Sequence, residues 1–181
     1  MESQYEKFYD LESYLFDDVR NKFNKDHFIN ATDFFCIVIW KANRAKTTIL
    51  KRLNKMGDLE GFIKKLTMEV YDASGMEEKL ALMMYKKGGF LLPMASAILT
   101  VLFPEDFTIY DIRVCDSLES DSKGEFHKLA NKTEPSEIWK GYLKFKDAVI
   151  QKAPPALSLR DKDRYLWGMS FKNSLDNLLK N

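Results

Sequence analysis

The chain is poor in the residues that build metal centres and covalent cross-links: 181 residues contain two cysteines and two histidines. That set is too small for an ordinary zinc or iron–sulfur site, so no metal and no cofactor is expected. Cys36 and Cys115 each stand in an apolar stretch, which reads as two reduced, buried thiols in an intracellular protein. Long apolar runs are also missing. The longest, Phe34 to Trp40, falls far short of the ~20 residues that a membrane-spanning helix needs. The N-terminal stretch MESQYEKFYDLE is acidic and lacks an apolar secretory core, so the expected location is cytoplasmic, without membrane contact. A net charge of +1 leaves neither sign in excess and argues neither for nor against a polyanionic partner. A chain of this length predicts a single helical domain over 1–181, or two interleaved lobes of one, with a sizeable core.

The charges are unevenly placed. Residues 1–18 hold Glu2, Glu6, Asp10, Glu12, Asp17 and Asp18 against Lys7. Residues 41–55 hold Lys41, Arg44, Lys46, Lys51, Arg52 and Lys55 and no acid. Such a stretch can face phosphates, or it can be a solvated helix face.

Apolar spacing is helical nearly throughout, and the expected class is all-α. Tyr5, Phe8, Leu11, Leu15 and Val19 share one helix face. Asn30 or Thr32 can cap a helix over about 33–42 that is apolar on every side, although its Cys36–Trp40 core also fits a buried strand. Further helices are predicted near 44–55, 58–72, 76–87, from Asp111 to Leu118, and from Pro135 to Lys152. Ser117 to Lys128 reads as a polar loop, Pro154-Pro155 as a break, and the tail from Ser158 as one or two short helices.

The stretch GGFLLPMASAILTVLFPEDFTIYDIRVC, residues 88–115, carries the chemistry. Gly88-Gly89 follow Lys86-Lys87 and end one helix; Pro93 suits the first turn of the next. Backbone amides in a glycine turn, backed by a helix N-terminus, can hold a phosphate. The alternative is a tight turn between packed helices. Asp111 then stands alone where a new helix begins, as an N-cap or as an acid able to stabilise a cation.

In combination, these residues resemble the helix-hairpin-helix DNA glycosylase superfamily, which contains endonuclease III and the alkyladenine glycosylases. Gly89 matches the first glycine of the family's Leu-Pro-Gly-x-Gly hairpin, Ala95-Ser96 its helix pair, and Ile109 to Val114 its Val-Asp-x-x-Val element with the aspartate at Asp111. The resemblance covers about 30 residues, within a hairpin and acid element at 76–118, and extends to an Arg-x-x-Asp-x-x-Leu-Trp element at Arg160, Asp163, Leu166 and Trp167 that is similar to one divergent branch. Two departures stand out. Leu91 replaces the second hairpin glycine, and Pro93 takes the place of the lysine that bifunctional members use as nucleophile.

The resemblance implies a two-lobed helical bundle with a hairpin motif. It implies a monofunctional glycosylase that hydrolyses the bond between a damaged base and deoxyribose in double-stranded DNA, without lyase activity through position 93. Asp111 would be the catalytic aspartate, its ionised carboxylate stabilising the cation that develops on the sugar. Lys86, Lys87, Gly88 and Gly89 would hold phosphate, Arg44 and Lys46 would extend that surface, and Arg113 would pair with Asp111 or bind phosphate. Trp40, Tyr110 and Trp167 would stack on the flipped base, or pack in the core. The competing expectations are a module that keeps this fold but only binds nucleic acid or protein, and a helical scaffold with no nucleic-acid role.

Overall fold

The computed structural model describes residues 5–119 and 124–180, and these are all-α, with no strand among them. Glu2 of the acidic stretch and residues 120–123 of the polar loop lie outside the described residues. No described helix is long and apolar enough to cross a membrane.

A 3-10 turn, Glu6–Phe8, leads to α1 (Leu11–Ser13), a π-helical stretch Tyr14–Val19 and α2 (Arg20–Asp26), which follow without a break. Asp10 caps α1, its Oδ1 accepting from the Ser13 N–H at 3.2 Å. Leu15 and Val19 are fully buried, as the spacing predicts, and Phe23 one turn further on is buried with them. Tyr5 and Phe8, expected on the same face, precede the helix and are exposed.

The run that also fitted a strand is α3 (Ala31–Ala42). Asn30 settles its start, because its Oδ1 accepts from the Asp33 N–H at 2.8 Å. Phe34, Ile37 and Val38 are fully buried, and α3 is one wall of the core. A 3-10 turn Asn43–Ala45 leads into α4 (Lys46–Asn54), followed by α5 (Leu59–Asp72) and α6 (Met76–Ala81), the last continued by a π-helical stretch Leu82–Lys86. After the glycine pair, α7 (Leu92–Leu102) is almost entirely buried and packs on α3.

α8 (Ile112–Leu118), α9 (Glu125–Leu129), α10 (Pro135–Lys152) and α11 (Leu159–Leu179) complete the chain. Two corrections to the expected pattern fall here. Part of the polar 117–128 stretch is helical: Glu119 accepts from the N–H groups of Phe126 at 2.9 Å and His127 at 3.2 Å and so caps α9 from outside. The tail is one helix of 21 residues, not one or two short ones. Ser158 caps its start, and α8 lies along it, with the Ser117 hydroxyl donating to the Leu166 carbonyl at 2.6 Å.

Two lysines, Lys79 half-buried and Lys162 buried, finish helices. Lys79 Nζ donates to the carbonyls of Val70 (2.8 Å), Tyr71 (3.1 Å) and Ala73 (2.9 Å) at the end of α5. Lys162 does the same past the end of α10, donating to Pro154 at 2.6 Å. Each places a cation against a helix's negative end. Both cysteines are buried free thiols; burial pushes the Cys115 thiol up to about 12 and raises that of Cys36.

Candidate functional site

Asp111 ends an extended segment, 107–111, that connects α7 to α8. Side chains from three helices hold that backbone in place. The Tyr142 hydroxyl of α10 accepts from the Thr108 N–H at 3.0 Å and donates to the Thr108 carbonyl at 2.8 Å. Asp163 of α11 accepts from the Ile109 N–H and the Thr108 hydroxyl, each at 3.2 Å. Ser96 of α7 accepts from the Tyr110 N–H at 3.0 Å. The Ala95-Ser96 pair, the Arg160/Asp163 element and the aspartate element are thus brought to one place, and their polar groups converge on the residues just before Asp111.

The Asp111 carboxylate has two partners. Its Oδ1 accepts from the Arg113 N–H at 3.0 Å and caps α8. Its Oδ2 meets the ammonium of Lys41, from the end of α3. The Asp111 side chain is 22% exposed and that of Lys41 11%. Beyond them opens a pocket of about 410 Å³ walled by Trp40, Ile109, Val114 and Trp167.

Arg160, Asp163, Glu12 and Arg164 form the polar side of this pocket. Arg160 pairs with Asp163, donates to Glu12 at 2.7 Å, and lies over the rings of Phe16 and Trp40, 5.1 and 5.3 Å from their centres. Its Nε has no partner among the described residues. Burial pushes the Asp163 carboxyl up to about 6, against the opposing pull of Arg160 and of its hydrogen-bond donors.

No protein-family model, curated protein or solved structure matches this chain.

The other expected site residues divide into those at this pocket and those elsewhere. Trp40 and Trp167 line it. Tyr110 does not. It is buried, its hydroxyl donating to the Phe126 carbonyl at 2.6 Å and accepting from the Ala130 N–H at 3.2 Å, because its ring turns inward against Phe145. The Arg113 guanidinium does not pair with Asp111; only its backbone does, and the side chain lies over Trp167 and Phe171.

The hairpin borders a second, mostly apolar cleft of about 290 Å³, lined by Lys41, Ala45, Arg52, Gly89, Leu91 and Pro93 among others. Lys41 therefore stands between the hairpin cleft and the acid pocket. Gly89 takes a left-handed φ of 62°. The Gly88 amide is spent inside the helix end, donating to the Leu82 carbonyl at 2.8 Å. The Gly88 carbonyl accepts from Arg52 at 2.7 Å, and that guanidinium also covers the Phe90 ring. Lys86 pairs with Glu78 at 3.7 Å, and Lys87 pairs with Glu69. Arg44 and Lys46 are exposed on the turn that flanks the cleft; Lys46 donates to Asn43 at 2.5 Å.

Sequence reasoning missed Lys41 as a partner of the acid. The signal was its place beside Trp40 at the head of the basic stretch. Glu12 carried no local signal, since it reaches Arg160 from the opposite end of the chain.

Proposed function

We propose that this protein binds DNA through the hairpin side and hydrolyses the N-glycosidic bond of a damaged base at Asp111, as a glycosylase of the helix-hairpin-helix kind. The observation that carries the reading is the position of Asp111. It caps a helix through one oxygen and pairs with Lys41 through the other, and both side chains line an aromatic-walled pocket large enough for a flipped base. The base would be extruded from the duplex and held between Trp40 and Trp167. As the bond from C1′ to the base stretches, the base leaves with the electron pair and positive charge builds on the sugar. Asp111 stabilises that charge; water then bonds to C1′ and gives up its proton to the carboxylate or the departing base. Lys41 must release the Asp111 oxygen for this, and a nearby DNA phosphate is a competing anion for its ammonium.

The same ion pair favours a second reading. A carboxylate already matched by a lysine, beside a hairpin whose Gly88 amide is occupied, suits a module that binds nucleic acid without cleaving it. Base release separates the two. Oligonucleotides carrying alkylated, oxidised or deaminated bases are incubated with the wild type and with Asp111→Asn. The amide keeps the cap but leaves the Lys41 ammonium without its carboxylate, so the fold is expected to persist with a lowered melting temperature. Release is expected to fall about a hundredfold or more, as for loss of a preorganised charge worth ~3 kcal/mol. Wild-type protein that releases no base but binds the duplex supports the binding module.

A further inference from the structure

The exposed face of α11 beside the pocket has a composition that neither the acid nor the hairpin uses. Trp167 and Phe171, one helical turn apart, are 41% and 45% exposed. Their rings are nearly parallel, 9° between planes with centres 5.5 Å apart. The Arg113 guanidinium lies over both, 5.3 Å from the Trp167 ring centre and 5.4 Å from that of Phe171. Among the described residues no carboxylate pairs with Arg113; its side chain's polar contact is the Ser174 hydroxyl at 3.5 Å. Trp167 is also a wall of the Asp111 pocket, so this face begins where the pocket ends.

We propose that Arg113, Trp167 and Phe171 form a stacking platform for an unpaired nucleotide next to the one held in the pocket. Flat rings left open to water offer a surface for the π-face of any base, and a cation without a carboxylate partner offers an anchor for its phosphate. The Arg113 backbone is tied to Asp111, so the platform's cation and the acid stand on one helix turn. An apolar protein partner would be served by the rings and by Leu175 and Leu178 further along α11, without need of the unpaired guanidinium. The proposal rests on the nucleic-acid reading above and adds the site at which the neighbouring unpaired nucleotide is gripped.

The test uses the whole chain, a fluorescein-labelled single-stranded oligonucleotide, and a duplex with one bulged nucleotide, with affinity read by fluorescence anisotropy. Phe171 lines no part of the acid pocket, so Phe171→Ala isolates the platform. It is expected to weaken binding to both probes by about 5- to 100-fold while leaving the salt dependence unchanged. Phe171→Leu keeps an apolar side chain without a ring and is expected to bind as weakly as the alanine variant. Arg113→Gln is expected to lower the log–log salt slope by about one. Wild-type binding by Phe171→Ala overturns the platform but not the nucleic-acid reading. So does full recovery by Phe171→Leu, or a change of oligomeric state in place of a change of affinity. Wild-type protein that binds neither probe at low salt overturns both. Thermal melting of each variant confirms that the fold is intact.

Discussion

His127 lies between two carboxylates, with Nε2 2.8 Å from Asp116 and Nδ1 2.7 Å from Glu119. This clamp ties α9 to the end of α8. Burial alone would lower the pKa of the imidazole, but the two carboxylates outweigh it and hold the pKa above its ordinary 6.5. Burial would likewise raise Glu119, yet the donors from Phe126 and His127 bring it below its ordinary 4.5. A raised histidine contributes stability that is complete below its unfolded value and is lost as pH rises through the folded one. A lowered carboxylate contributes stability that is complete above its unfolded value and is lost as pH falls through the folded one. The clamp is therefore strongest between about 4.5 and 6.5. His127→Gln is expected to cost about 1 kcal/mol near pH 6 and to remove part of the stability that the wild type loses on going to pH 8. Urea denaturation of both proteins across that range provides the check; parallel stability curves would show that the clamp carries no charge.

At the scale of the element, the hairpin depends on its two glycines for different reasons. A side chain at Gly88 would strike the Met83 carbonyl, a backbone atom that cannot move aside without unmaking the helix end. A side chain at Gly89 would meet a positive φ and displace the Arg52 guanidinium, which holds the Gly88 carbonyl. The left-handed conformation costs a non-glycine residue roughly 1–2 kcal/mol. Gly89→Ala is thus expected to destabilise by at least ~1 kcal/mol, and Gly88→Ala by more, as read from the shift in urea midpoint. If Gly88→Ala proves the milder change, the close approach to Met83 is not what selects glycine there. Leu91, 75% exposed, lines the apolar cleft.

At the scale of the whole molecule, four basic residues of the 41–55 stretch stand near the hairpin. Lys41, Arg44, Lys46 and Arg52 lie on or beside the cleft opposite Gly89 and Leu91. They are not equally available. Lys86 and Lys87 are already paired with Glu78 and Glu69, whereas no described carboxylate pairs with Arg44 or Lys46. Each cation that meets a phosphate contributes about one to the log–log salt slope. Changing Arg44 and Lys46 together to glutamine is expected to reduce the slope for duplex binding by about two. The pair Lys86→Ala and Lys87→Ala is expected to reduce it by less, because glutamate rather than counterion is displaced there. Affinities measured over a range of salt concentrations decide this, and the reverse ranking would place the phosphates on the helix end instead.

The elements were legible in the sequence because their signals are local. Asn30, Asp111, Pro135 and Ser158 mark helix starts that the structure shares, and the apolar spacing of Leu15 and Val19 marks a buried face. The all-α class follows from such signals alone. The tail was legible only in part, since continuity of α11 past Gly168 depends on α8 lying against it. What Asp111 faces was not legible at all. A carboxylate before a helix is a cap by its own chemistry, whatever surrounds it. Lys41 from α3, Trp167 from α11 and Arg160 bridging to Glu12 come together only when distant helices pack. The same packing buries Tyr110 and turns Arg113 away from Asp111 onto two aromatic rings. Local chemistry determined where each helix begins and which face it buries. The direction of a polar side chain, and the partner it meets there, is set by non-local contacts, and only the tertiary structure decides those.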